Sequence, residues 1–151
     1  MLRPSKKMLY AIEAVLDIAY HAGGEPVQSR EITRRQGIPR RYLEQTLQQL
    51  VRSGLLVGVR GPRGGYRLAR ERRRISVGEV VRVVRALEAA EETQEELPAS
   101  DLGKEVIRPM WQDMQNEMMT RLDSISIDDL CMKAYQVGIV SEVTQKMDFT
   151  I

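Results

Sequence analysis

Arg40, Arg41, Glu44, Gln45, Gln48 and Gln49 recur at the spacing of one helical face. Together they offer the chemistry of base recognition: arginine pairs with guanine edges, glutamine with adenine, and glutamate accepts from the cytosine amino group. Further along, Arg60 and Arg63 lie in the run Val59-Arg60-Gly61-Pro62-Arg63-Gly64-Gly65-Tyr66. Two arginines on a glycine-rich turn suit phosphate oxygens or an adjacent minor groove. Gly61, Gly64 and Gly65 permit positive φ and close approach of backbone. The turn is not a nucleotide loop, because the lysine and the Ser/Thr that such a loop needs are missing. Arg3, Lys6 and Lys7 crowd another helix start, where they read equally as further cations for phosphates or as a solvated basic end.

Other chemistry finds little support. No paired carboxylates, Ser/His or Cys/His constellation, or metal-ligand spacing is found, so the expectation is no catalytic residue, no metal and no cofactor. The chain has 1 cysteine, Cys131, and 1 histidine, His21. A single thiol excludes an internal disulfide and a multi-cysteine metal site. Cys131 shares an apolar stripe with Ile127, Leu130 and Ala134, which suits a small buried hydrophobe. It is the one candidate redox residue, although a redox switch needs exposure and a lowered pKa. His21 falls in the last turn of a helix, where positive charge is favoured, and is read as capping or solvated.

The elements that must position these residues follow from periodicity. Residues 5–22 read as a helix with Ser5 as N-cap, Gly23-Gly24 as its end, and Met8, Leu9, Ile12, Val15, Leu16 and Ala19 on one face. A short helix begins at Gln28-Ser29, with Ser29 as N-cap and Glu31 in its first turn, and ends at Gly37. Ile38-Pro39 makes the turn, because the residue before proline avoids the helical region. The next helix runs over 39–53, with Leu43, Leu47, Leu50 and Val51 inward and the base-reading face outward, and Gly54 terminates it. Leu55–Val59 and Tyr66–Ala69 read as strands around the basic turn. Arg70 to Arg74 reads as a solvated edge near the wing, with a contact patch as the alternative. Ser76 caps a helix over 77–88 that turns Val77, Val80, Val81, Val84 and Leu87 inward and packs on the first. A projecting helix followed by a basic hairpin is the layout of a winged helix-turn-helix DNA reader.

The charge distribution agrees. Residues 1–88 carry 18 Lys and Arg against 8 Asp and Glu, whereas residues 89–151 carry 5 against 13. Only the first half is suited to a polyanion. A length of 151 residues fits one domain, or one domain with a dimerising appendage. The N-terminus has no long apolar run and no stretch approaches membrane-spanning length, so a cytoplasmic protein that avoids membranes is expected.

The second half reads as an accessory. Residues 88–98 form an acidic stretch expected to be a solvated loop, with docking of an effector or a basic partner surface as the alternative. Residues 101–123 form a long helix in which Ile107, Met110, Trp111, Met114, Met118 and Leu122 make an apolar stripe. Soft-metal or haem binding is one reading of a methionine stripe; a dimer seam with methionine as adaptable packing is the better one. Ser126 starts a last helix, and Val140 to Ile151 is a tail that reads either as a short strand or as a docking end. The expected fold is mainly α with a small β-hairpin wing. Residues 1–88 form the winged helix-turn-helix, 89–100 the acidic loop, and 101–151 the dimerisation helix and C-terminal segment.

A family resemblance rests on specific pieces: Lys7-Met8-Leu9-Tyr10-Ala11-Ile12, Tyr42-Leu43-Glu44-Gln45, Ser53-Gly54-Leu55, Arg60 through Ala69, and Ile75-Ser76-Val77-Gly78-Glu79-Val80. These resemble the Rrf-type bacterial transcription regulators, a family that includes iron–sulfur and nitric-oxide sensors and a regulator of cysteine metabolism. The likeness continues more loosely through Met110-Trp111 to Ser126-Ile127-Asp128-Asp129-Leu130. It implies a homodimer that binds an imperfect palindrome in double-stranded DNA, and the leading reading is a sequence-specific transcription regulator acting as a repressor. By the match, Arg41, Glu44 and Gln45 lie on the reading helix, with Glu44 the base-discriminating acid, and Arg60 and its neighbours grip the backbone or minor groove. The DNA-contacting set expected from residues and resemblance together is Lys6, Ser29, Arg40, Arg41, Tyr42, Glu44, Gln45, Arg60, Gly61, Arg63, Gly64 and Tyr66. The chain departs from the iron–sulfur members in one respect. They carry three cysteines after the helix ending near Leu87, and here that segment has none; Arg108 stands where some members have a histidine. A cluster needs several thiolates or histidines in their place, so none is expected, and the sensing route is left open between a small-molecule effector in the dimer crevice, a partner protein, oxidation of Cys131, or no signal at all. The alternative function is a regulator acting mainly through a docked partner, or a winged protein-interaction module.

Overall fold

The computed structural model describes residues 3–91 and 100–143. The acidic residues 92–98 and the tail from 144 to Ile151 lie outside the described residues. The first helix, α1, spans Lys6–His21, and Ser5 Oγ accepts from the Met8 N–H at 3.2 Å. Its buried face is Ala11, Ala14, Val15, Ile18 and Ala19, while Leu9 is 44% exposed. The inward face is thus rotated from the one expected. Small alanines let α1 pack closely at the centre of the domain, with other elements on several sides.

The second helix, α2, spans Ser29–Gln36 and its N-cap is Gln28 rather than Ser29. The Gln28 N–H donates to Glu31 Oε2 at 3.0 Å, which satisfies one donor at the helix entry. Gly37 ends it in the left-handed region, φ 66°, and its N–H donates to Thr33 O at 2.9 Å. Helix α3 follows across Ile38-Pro39 and spans Arg40–Arg52, burying Leu43, Thr46, Leu47 and Leu50. The strands β1 (Leu56–Val59) and β2 (Gly65–Leu68) form an antiparallel hairpin pairing Leu56 with Leu68 and Val59 with Gly65. Val27 adds a single bridge to Tyr66 on the other edge of β2.

Arg72–Arg74 form a short 3-10 turn. It is not a free cationic edge: Arg70 pairs with Glu79 at 2.8 Å, Arg72 with Asp128 at 2.6 Å and Arg73 with Glu71 at 3.4 Å. Helix α4 spans Val77–Glu91, started by the reciprocal bonds Glu79 N–H to Ser76 Oγ and Ser76 N–H to Glu79 Oε2. It overruns the expected end at 88, so the start of the acidic stretch is helix and not loop. Glu88 accepts from Ser5 Oγ, and Glu91 accepts from Lys7 Nζ at 2.9 Å, which ties that end to α1.

The chain turns helical again at 101. Residues Gly103–Ile107 form a π-turn, with the Arg108 N–H reaching back to Gly103 O. Pro109 follows and has no N–H for the ordinary ladder, so the preceding turn widens. Helix α5 (Arg108–Asp123) then crosses α4, where Arg82 grips Asp123 with bonds of 2.6 and 2.5 Å. A Cβ on Gly78 would collide with that carboxylate, so glycine allows the crossing. Helix α6 (Ile127–Gln136) is capped by Ser126 and Asp129 reciprocally. Ile127 and Cys131 of α6 join the same buried core as α1, α3 and α4.

Candidate nucleic-acid interface

Helix α3 projects because its buried stripe is narrow. Leu43, Leu47 and Leu50 hold it to the core, and Arg40, Arg41, Tyr42, Glu44, Gln45 and Gln48 remain exposed. Gln49, expected on the same outer face, is half-buried. Arg40 Nε donates to Glu44 Oε1 at 3.0 Å, one helical turn away.

The wing turn runs from Arg60 to Gly64. Gly61 takes φ 111°, a conformation open to glycine, and the Gly64 N–H closes the turn onto Gly61 O at 2.9 Å. Arg60 and Arg63 are exposed at its tip. Gly64 is buried, and a Cβ there would collide with Val59 O; Gly65 is held as closely against Val27 O. Neither has positive φ, so of the three glycines only Gly61 serves in that way. Tyr66 is half-buried against the core, and both its backbone groups are engaged by Val27 at 2.9 and 2.8 Å. Gly64 and Tyr66 therefore shape the wing rather than present side chains outward.

Between the wing and the two helices lies an open groove of about 580 Å³, lined by Gln28, Ser29, Arg30, Arg40, Arg60 and the turn glycines. Ser29 and Arg40, expected from the sequence, meet there. Arg30 is a lining residue that sequence reasoning missed; its position in the first turn of α2, beside Ser29, was the available signal. Lys6 is exposed at the start of α1, whereas Lys7 is committed to Glu91, whose carboxylate raises the ammonium pKa.

A second polar cluster was not foreseen. Asp17 is 2% exposed within α1. It accepts from Arg35 Nε at 2.9 Å, Arg35 Nη2 at 2.8 Å and Gln36 Nε2 at 2.8 Å. Arg35 also reaches Glu142 at 2.9 Å, and Arg34 reaches Glu142 at 2.8 Å. Burial alone would lower Arg35, but hydrogen bonds and charge from Asp17 and then Glu142 outweigh it and hold the guanidinium above its ordinary value. The Glu142 N–H donates to His21 Nδ1 at 3.1 Å, which places the ring proton on Nε2, 4.0 Å from Asp17. Burial, then the charge of Arg35, lowers the His21 pKa, so the ring is neither a solvated nor a charged cap. Tyr20 donates its hydroxyl to Ile139 O. These contacts fasten residues 139–143 to α1 and α2.

Ile107, at the end of the π-turn, and Met110, Trp111, Met114 and Met118 on α5 are exposed within the chain, from 43% for Trp111 to 55% for Met114 and Met118. Leu122 departs from that stripe and packs on the chain's own core together with Met119. Cys131 is 2% exposed, and burial raises its thiol pKa against the opposing charge of Arg72. That is the reverse of what a reactive thiolate needs.

A family model described as "Rrf2: Iron-dependent Transcriptional regulator" matches residues 4–133. The chain is 36% identical over 129 residues to the HTH-type transcriptional regulator IscR of Xenorhabdus nematophila, covering 85% of this chain and 79% of that one. It is 33% identical over 147 residues to IscR of Vibrio cholerae, covering 97% and 83%. Among solved structures it resembles T. potens IscR, with 34% identity, a TM-score of 0.72, and 92% and 93% of the two chains covered. The global cysteine regulator CymR of B. subtilis is similar at 29% identity and a TM-score of 0.68, over 88% and 98%. The family's iron finds no fit in the residues at hand: the sequence has 1 cysteine and 1 histidine, Cys131 is buried, and among the described residues no group of three or more His, Cys, Asp or Glu could hold a metal ion. Also among the described residues, no helix is long and apolar enough to cross a membrane. These relatives are named as regulators and not as enzymes, and the match spans both α3 and the wing: the chain belongs to the Rrf2 family of DNA-binding transcriptional regulators.

Proposed function

We propose that the chain works as a cytoplasmic homodimer that reads an imperfect palindrome in double-stranded DNA and represses transcription without an iron–sulfur cluster. The observation that carries this reading is the groove where Ser29 and Arg30 of α2, Arg40 of α3 and Arg60 of the wing converge. Its cations suit a phosphate backbone, while Arg41, Glu44 and Gln45 on the adjoining exposed face suit base edges. Lys6 and Arg63 extend the cationic margin. Dimerisation is supported by the exposed Met110, Trp111, Met114 and Met118 on α5, an apolar stripe unusual for a free surface. Two such chains related by a twofold axis present two reading helices, which calls for two half-sites.

Selection of duplexes from random sequence, followed by salt titration, tests the reading. Arg60→Ala is expected to weaken all sequences alike and to reduce the salt slope by about 1. Glu44→Ala relaxes base preference more than it lowers affinity. Wild-type protein that fails to enrich any sequence would remove the proposal.

A second reading, control through a docked protein, is favoured by one observation. Met132, Tyr135 and Val137 stand exposed at the end of α6, with Tyr135 at 79%. Co-purification from native lysate with and without competing duplex separates the two.

A further inference from the structure

Arg40 is the first residue of α3, and its guanidinium turns along the helix to Glu44, Nε to Oε1 at 3.0 Å. The side chains are 81% and 50% exposed. Helix stability does not account for this pair. A cation at a helix N-terminus opposes the helix dipole. The first turn of α3 contains no acidic residue to compensate it. The basic-before-acidic order is the weaker orientation for a pair one turn apart. What distinguishes the pair is its place. Glu44 is the only carboxylate in α3, on a face that otherwise presents Arg41, Gln45 and Gln48. Arg40 also lines the groove between α2 and the wing, so it stands where the cationic groove meets the base-reading face.

We propose that Arg40 is a specificity-setting residue that governs how strictly Glu44 selects its base. The inference rests on α3 reading DNA. A carboxylate facing a duplex is repelled by phosphates unless a base donor, such as the cytosine amino group, engages it. Where that donor is present, Glu44 turns to the base and Arg40 is released to a phosphate. Where it is absent, Arg40 keeps the carboxylate neutralised and the mismatch is tolerated. Exposure keeps the pair weak in free protein, as the exchange requires, and exclusion of water at the interface strengthens it. Arg40 thereby widens the set of sequences the protein accepts.

The test is a double-mutant cycle on DNA binding. Full-length wild type, Arg40→Ala, Glu44→Ala and the double variant are titrated against the selected duplex and against duplexes altered at the base that Glu44 discriminates. Arg40→Ala is expected to lose about tenfold more affinity for the altered duplexes than for the selected one. That excess should vanish in the double variant, and Arg40→Lys, which keeps the cation, should retain the wild-type preference. Additive effects of the two alanines, or a lysine variant that behaves like alanine, would overturn the proposal. Failure of the underlying reading looks different: wild type then shows no preference between selected and scrambled duplexes.

Discussion

Removing the Asp17 carboxylate should be among the most damaging single changes to this fold. Its side chain is 0% exposed and accepts three hydrogen bonds, two from Arg35, whose own side chain is 11% exposed. Asp17→Ala leaves that guanidinium buried with Glu142 as its remaining acidic partner, at 2.9 Å and 26% exposed. Breaking a buried pair in this way costs about 3–5 kcal/mol. The surviving Glu142 contact argues for the lower end, about 3 kcal/mol, or roughly 6–12 °C in Tm for a chain of this size. Asp17→Ala combined with Arg35→Met removes both charges and should cost less than Asp17→Ala alone, because no unpaired charge stays behind. Urea unfolding followed by circular dichroism, at one fixed protomer concentration, reads both variants. The reasoning fails if Asp17→Ala lies within about 1 kcal/mol of wild type, or if the double variant is no better than the single one.

Further expectations can be checked alongside. The His21 pKa is lowered in the folded chain, so the folded state binds fewer protons than the unfolded state near the ordinary imidazole value. This contribution is complete above about pH 6.5 and is lost as pH falls through that value toward the folded one; urea midpoints should drop between pH 7.5 and 5.5, and His21→Gln should flatten that part of the profile. Glu142 adds to acid sensitivity at lower pH: burial pushes its carboxyl up, but Arg35 and Arg34 outweigh this and hold it below the ordinary carboxylate range. Trp111→Glu with Met114→Glu should yield a monomer by light scattering while the far-ultraviolet spectrum is kept; a variant that remains dimeric rules out α5 as the seam. Cys131 should react with a thiol reagent only as fast as the chain opens, so labelling that is already fast in the absence of urea contradicts its burial.

The α3 helix and the wing were readable because each carries local punctuation. Pro39, Gly54 and Gly61 mark ends and turns, and Leu43, Leu47 and Leu50 keep helical period between them. Ser76 and Ser126 announced helix starts for the same reason, each answered three residues later by an acid. The Asp17 cluster had no such signature. Its members are spread from α1 to residue 142, and nothing near His21 in sequence indicates that a backbone N–H from residue 142 will reach it. Leu9 reads as inward yet is exposed, because apolarity alone orients a helix poorly when alanines supply much of the buried face. Glu88 and Glu91 looked like the start of a charged loop, since their partners Ser5 and Lys7 lie at the opposite end of the domain's sequence. Gln28 capped α2 in place of Ser29 because Glu31 answered the Gln28 N–H, one residue ahead of the expected start.

The widened turn at Gly103–Ile107 fixes the phase of everything before it. An α-helix advances about 100° per residue, so excising a single residue there would straighten the rod and swing Leu102 about a quarter of the way round its axis. That side chain, exposed at 74%, would then face a different direction relative to the Met110 and Met114 that follow. Single-residue deletions and insertions through this stretch are thus rotations in disguise, and should alter assembly far more than substitutions at the same positions.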